Sequence, residues 1–128
     1  MSVSIAIVDD AAFIHEVYIN LLKGTDIKII AQAYDGLSAV NIIKESHPDV
    51  VLMDLVMPHL NGIDTTKKIL QMNEKVKIIA CSTLSQEHMI MKALEVGCVD
   101  YITKPFEKED LINAIHKCMH KPQESFLW

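Results

Sequence analysis

Five times along this chain a short apolar run gives way to a longer stretch whose apolar residues recur at helical spacing. No other feature restricts the fold as much. Residues 3–8, 27–33, 49–54, 76–81 and 99–103 read as strands, and residues 11–22, 37–44, 63–72, 87–96 and 110–119 as helices. Phe13, Val17, Leu21 and Leu22 mark the first helical stripe; Leu37, Val40 and Ile43 mark the second. Gly24 and Gly97 stand where helices should stop, Ser46-His47-Pro48 breaks the second helix, and residues 58–62 read as loop. The run 49–54 is almost unbroken in its apolar character, as expected of a strand covered on both faces. Strands alternating with helices imply an α/β fold: a parallel sheet with right-handed crossovers and helices on both faces.

In such sheets ligands gather beyond the carboxyl ends of the strands. Asp9 and Asp10 follow the first strand, Asp54 ends the third, Ser82 and Thr83 follow the fourth, and Lys104 then Pro105 follow the fifth. Three carboxylates, two hydroxyls and one amine would converge on one rim. Carboxylates so close repel one another and raise each other's pKa unless a cation is present. A hard, oxygen-seeking ion resolves this, and Mg²⁺ with a few waters is the natural choice. The competing reading makes Asp9-Asp10 a helix cap, since acids favour that place. It explains neither Asp54, which gains nothing from capping at a strand end, nor Lys104. Lys104 would hold a phosphoryl oxygen as a compact charge, and Ser82 or Thr83 would donate a hydroxyl to another. Asp54 is then the nucleophile, ionised at neutral pH because metal and lysine keep its pKa low.

Composition agrees with this and excludes other classes. The chain has 128 residues, 50% hydrophobic and 23% charged, which suits one packed domain rather than disorder. A formal charge of -5 argues against a nucleic-acid partner. No apolar run approaches the roughly 20 residues needed to span a bilayer, and the N-terminal residues lack the basic region of a signal peptide. Cys81, Cys98 and Cys118 are scattered, which reads as buried free thiols in a reducing cytoplasm.

Taken together, Asp9-Asp10, Asp54-Leu55-Val56-Met57-Pro58, Asn61-Gly62, Ser82 and Lys104-Pro105-Phe106 resemble the receiver domains of bacterial response regulators, in order and over nearly the whole chain. Within that family, Val8-Asp9-Asp10-Ala11-Ala12-Phe13 is most similar to the stand-alone chemotaxis regulators. The resemblance implies a flavodoxin-like (βα)5 sheet of strand order 2-1-3-4-5, with a receiver domain over residues 1–121 and a tail over 122–128. It implies that Asp10 and Asp54 ligate Mg²⁺, that Asp9 helps mostly through water, and that Val56 offers its backbone carbonyl. Ser82 takes the family's hydroxyl role, Tyr101 matches the aromatic that swings inward on phosphorylation, and the Lys104-Pro105 bond is cis.

It further implies a histidine kinase as donor, docking near Ala12 and Phe13, and a protein target such as a flagellar motor switch component. That target would bind around Lys92, Glu95 and Tyr101. The chain would be a cytoplasmic monomer, with dimerisation on phosphorylation open. It would be no enzyme towards outside substrates, catalysing only its own phosphorylation and dephosphorylation. Thr83 departs from the family pattern, which has a small residue there. Val56 and Leu84 flank the approach of water to the phosphoryl group and are both apolar, which implies slow loss of that group.

A receiver cut from a longer DNA-binding regulator would show the same residues. A metal-dependent phosphohydrolase would carry an acid two residues after its nucleophile, where this chain has Val56. An FMN-binding flavodoxin would place a Ser/Thr/Gly phosphate loop where Asp9-Asp10 stands. His116 and His120, four apart, read as solvated surface, His15 as part of a partner-facing helix, and the seven methionines as core filler.

Overall fold

The computed structural model describes residues 2–57, 60–73, 75–83 and 87–120. Ten elements alternate without exception: β1 (Val3–Val8), α1 (Ala12–Leu22), β2 (Ile27–Ala33), α2 (Gly36–Ser46), β3 (Val50–Asp54), α3 (Gly62–Met72), β4 (Lys77–Ser82), α4 (Glu87–Glu95), β5 (Asp100–Thr103) and α5 (Lys108–His120). The strands form one parallel sheet in the order β2-β1-β3-β4-β5. The doubly wound architecture is therefore as expected, and the boundaries agree to within one or two residues.

Alternation along each strand divides the core in two. Ala6, Val8, Val51, Met53, Ile78 and Ala80 face α2, α3 and α4, where Ala39, Ile43, Ile63, Ile69 and Ala93 close over them. Ile5, Ile7, Val50, Leu52, Ile79 and Cys81 face α1 and α5, against Tyr18, Leu22, Leu111, Ala114 and Ile115. β3 is buried at all five positions, as its apolar run required. All three cysteines are buried and free.

Two helical faces differ from expectation. α1 buries His15, Tyr18 and Leu22, while Phe13 is 69% and Val17 42% exposed. Half of the apolar stripe read from spacing, Phe13 and Val17, thus lies on the outer face, while Leu21 and Leu22 pack inward. A histidine and a tyrosine take the inner one because both find polar partners there, described below. His15 is consequently not a partner-facing residue. In α2, Leu37 is likewise 61% exposed, and Gly36, Ala39 and Ile43 pack inward. Of the methionines, Met53 and Met57 are core, whereas Met72 and Met91 are exposed. His116 is half-exposed and pairs with Asp26 at 2.9 Å. The tail 122–128 lies outside the described residues, and among the described residues no helix is long and apolar enough to cross a membrane.

Candidate functional site

In register, β3 runs one residue past the end of β1 and β4 one past the end of β3, so Asp9 just after β1 and Asp54 and Ser82 at the strand ends lie along one sheet edge. Asp9 leaves β1 with its N–H donating to the Ala33 carbonyl at 3.1 Å. Its carboxylate Oδ1 accepts the Ala11 N–H at 2.9 Å. The helix cap itself is Ala11, in extended conformation and without a side-chain cap bond, so the acid pair is not the cap of α1. Asp10 is exposed at the rim. Asp54 closes β3 beside Cys81 of β4 and is only 8% exposed.

Asp9, Asp10 and Asp54 each bring a carboxylate oxygen within 4.8 Å of the others. Lys104 reaches over from the end of β5, its Nζ 2.5 Å from Asp9 Oδ2 and 3.9 Å from Asp54 Oδ1. Its backbone N–H donates to the Ser82 carbonyl at 2.7 Å, and the Lys104-Pro105 peptide is cis, as the resemblance implied.

Burial pushes the Asp54 carboxyl up to about 6, the nearby Lys104 charge opposing this and the Asp9 and Asp10 charges adding to it. Repulsion among the acids was the expected cause; desolvation on the fully buried strand is the larger one. The acids therefore carry more negative charge than one lysine balances, and a divalent cation would suit them.

Ser82 ends β4, is 1% exposed and shares a side-chain hydrogen bond with Tyr101 of β5. That bond works against the rise that burial imposes on the Tyr101 phenol. Thr83 is exposed next to Ser82, and Val56 is 56% exposed two residues beyond Asp54. Leu84 lies outside the described residues. The structure thus brings Asp9, Asp10, Asp54 and Lys104 into one cluster, with Ser82 and Tyr101 at its side.

Two residues under the site escaped sequence reasoning. Tyr18, 1% exposed, hydrogen-bonds the Cys81 thiol and stacks on Phe106 with ring centroids 5.8 Å apart. Burial drives both groups upward, the Cys81 thiol to about 12. Tyr18 thereby ties α1 to the strand next to Asp54 and to the loop that follows Lys104. His15, also 1% exposed, contacts the Asp9 carbonyl. The signal that could have found them is the series 15, 18, 22, which shares one helical face and ends in a leucine. Apolar spacing alone does not pick that series out.

An acid cluster at the carboxyl edge of a 2-1-3-4-5 parallel sheet, with a lysine bridging two of its members, defines a phosphoacceptor type of α/β domain. The family description "Response regulator receiver domain" matches residues 5–116, and the chain belongs to that family. It is 38% identical over 120 residues to the chemotaxis protein CheY of Bacillus subtilis, covering 94% of this chain and all of that one. Against CheY of Thermotoga maritima it is 37% identical over 117 residues, 91% of this chain and 98% of the relative. Among solved structures, the response regulator domain of Thermotoga maritima CheB superposes with a TM-score of 0.88 at 33% identity, over 95% of this chain and 99% of that one. CheY from Borrelia burgdorferi, in a complex with CheX, BeF3 and magnesium, gives 0.88 at 26% identity over 93% and 90%.

Proposed function

We propose that the chain is a CheY-like phosphoacceptor switch that takes a phosphoryl group from a histidine kinase onto Asp54. The observation that carries this is the meeting of Asp9, Asp10 and Asp54 within 4.8 Å, with Lys104 3.9 Å from Asp54. A carboxylate oxygen of Asp54 forms the new P–O bond as the P–N bond to the donor imidazole breaks, and the bonding pair leaves with the imidazole. Lys104 holds one phosphoryl oxygen, and Ser82, assisted by Thr83, donates to another.

The donor set fits Mg²⁺. All three side chains offer hard oxygens, and oxygens on one Mg²⁺ stand about 3–4 Å apart, so a small closure of the cluster would surround the ion. Asp10, Asp54 and the Val56 carbonyl would hold it, with Asp9 oriented behind them. Bound there, the ion would neutralise charge on the incoming phosphoryl group.

Ser82 moving toward the phosphoryl group would pull on Tyr101 through their shared hydrogen bond. That links the site to the face of α4, β5 and α5, a population shift between two arrangements. The output would go to a protein partner in chemotaxis, such as a flagellar motor switch component, with the chain acting in the cytoplasm as a monomer that dimerises at most on phosphorylation. In the stand-alone reading the receiver spans residues 1–121; the chain covers 100% and 98% of the two CheY relatives. The same domain forms only 29% of a methylesterase from Methanococcus maripaludis, so a place in a longer regulator is the second reading.

The test is incubation with acetyl phosphate, with and without Mg²⁺, on wild type and Asp54→Asn, read by intact mass. A phosphoryl adduct that needs both Mg²⁺ and Asp54 is the expected result. An adduct on the Asp54→Asn chain would overturn the assignment.

A further inference from the structure

Asp9 is held at all four of its polar groups. Its N–H donates to Ala33 and its two carboxylate oxygens meet the Ala11 N–H and Lys104. Its carbonyl oxygen is taken by His15, whose Nε2 lies 2.8 Å away. A carbonyl only accepts, so Nε2 carries a proton. The ring is not free to leave. Nδ1 lies 3.0 Å from the Gln32 side-chain oxygen, and a half-turn of that amide offers NH₂ instead, so Gln32 serves the ring in either protonation state. Tyr34 stacks on the imidazole with centroids 4.1 Å apart and planes 22° from parallel. His15 is 1% exposed.

The Asp9 carbonyl belongs to the peptide joining Asp9 to Asp10. Fixing it fixes the plane of that peptide, and with it the direction in which Asp10 leaves the backbone. We infer that His15 is a positioning residue for the metal site: through the Asp9 carbonyl it sets the Asp9-Asp10 turn so that both acids converge on Asp54. This rests on the proposed function. A polar ring buried under a helix costs stability unless its bonds are made, and a leucine would fill the same space without them. The partners of this ring are the metal-site turn and β2, not the core alone, which is what a positioning role requires.

The test uses the full chain and magnesium chloride, with Kd measured by calorimetry and folding followed by circular dichroism. His15→Leu removes the bond and His15→Asn shortens the donor's reach. His15→Gln keeps an N–H at the reach of Nε2. Loss of such a support costs about ten-fold in metal affinity, so the Leu and Asn variants should bind Mg²⁺ about ten-fold more weakly while Gln stays near wild type. A purely structural role would lower melting temperature in chelator without separating Asn from Gln in Kd.

Should His15→Leu fail to fold, the contrast of the two amides decides. Equal Kd values for wild type, Asn and Gln would overturn the inference while leaving the acid site intact. A wild-type chain that takes no Mg²⁺ would overturn both.

Discussion

The Lys104 ammonium stands 2.5 Å from the Asp9 carboxylate, a pair in which the side chains are 12% and 3% exposed. This places the only cation of the cluster among the described residues against the acid that the resemblance made least important. Removing one member of a buried pair leaves the other charge desolvated, at a cost of about 3–5 kcal/mol. Lys104→Met should therefore unfold at lower urea than wild type in the presence of a chelator at neutral pH. Saturating Mg²⁺ should narrow the gap, because the ion neutralises the same acids. Identical urea midpoints in chelator would show that the pair contributes nothing.

Asp54 supplies a pH-dependent prediction. Its carboxyl is raised to about 6 by burial first, with the Asp9 and Asp10 charges adding and Lys104 opposing. The folded chain therefore holds its proton to higher pH than the unfolded chain does. Well below about pH 4 both states are protonated and Asp54 costs nothing. As pH rises the unfolded state ionises first, so stability falls, and the loss is complete above the folded pKa. The gap between the two states corresponds to roughly 3 kcal/mol, reduced to about 1–2 kcal/mol by solvent reaching the rim. Asp54→Asn should stabilise the metal-free protein by that amount at about pH 7.5 and by only a small part of it at about pH 4. Urea titrations at the two pH values check it; an equal gain at both would refute the burial argument.

The sheet was legible because four of its five strands are apolar runs closed by an acid, a hydroxyl or a lysine, and β3 is buried on both faces. What periodicity missed has polar causes. α2 starts at Gly36 because Asp35 accepts the Ser38 N–H at 2.8 Å, a cap with no apolar signature. α5 starts at Lys108, before the apolar stripe, with the Glu107 N–H donating to Asp110 at 3.2 Å and Leu111 closing the turn onto the Glu107 carbonyl. At the site, Asp10, Asp54 and Lys104 were findable from their places after strands. Tyr18 and His15 were harder to find, since apolar spacing marks Phe13 and Val17, and the series 15, 18, 22 does not by itself tell an inward histidine from an outward one. Only the tertiary partners Cys81, Phe106, Gln32 and Tyr34 do so.

Gly62 opens α3 directly against the backbone of Asp54 and Leu55. A Cβ there would lie 2.2 Å from the Asp54 carbonyl oxygen and 2.6 Å from Leu55 Cα, both backbone atoms that cannot turn away. The close approach is fixed by the Gly62 N–H donating to the Leu55 carbonyl at 3.1 Å. Gly62→Ala should cost about 2–3 kcal/mol through overpacking, despite alanine's better helix propensity. Because the clash pushes on Asp54 itself, labelling by acetyl phosphate should fall more steeply than the folded fraction does. Measuring both on the same sample distinguishes this from simple instability. A variant as stable as wild type would mean that α3 shifts freely away from β3.

The lifetime of the phosphorylated state turns on Val56. Hydrolysis needs a water placed in line with the P–O bond to Asp54, and a general base or hydrogen-bonding side chain typically contributes about 10²-fold or more to such a step. Val56 is 56% exposed two residues past Asp54, and its side chain offers neither donor nor acceptor. On the proposed reading it would flank the water's approach with a branched apolar side chain instead. The phosphorylated wild type should therefore persist well beyond a few seconds in the absence of any phosphatase. Val56→Glu or Val56→Gln should shorten that lifetime several-fold, because each brings a group able to orient the water. Val56→Ala, which opens the mouth without adding a polar group, should change it less. Phosphate release after rapid removal of acetyl phosphate reads all three. If alanine and glutamine accelerate release equally, exclusion of water by bulk, rather than the lack of an orienting group, sets the lifetime.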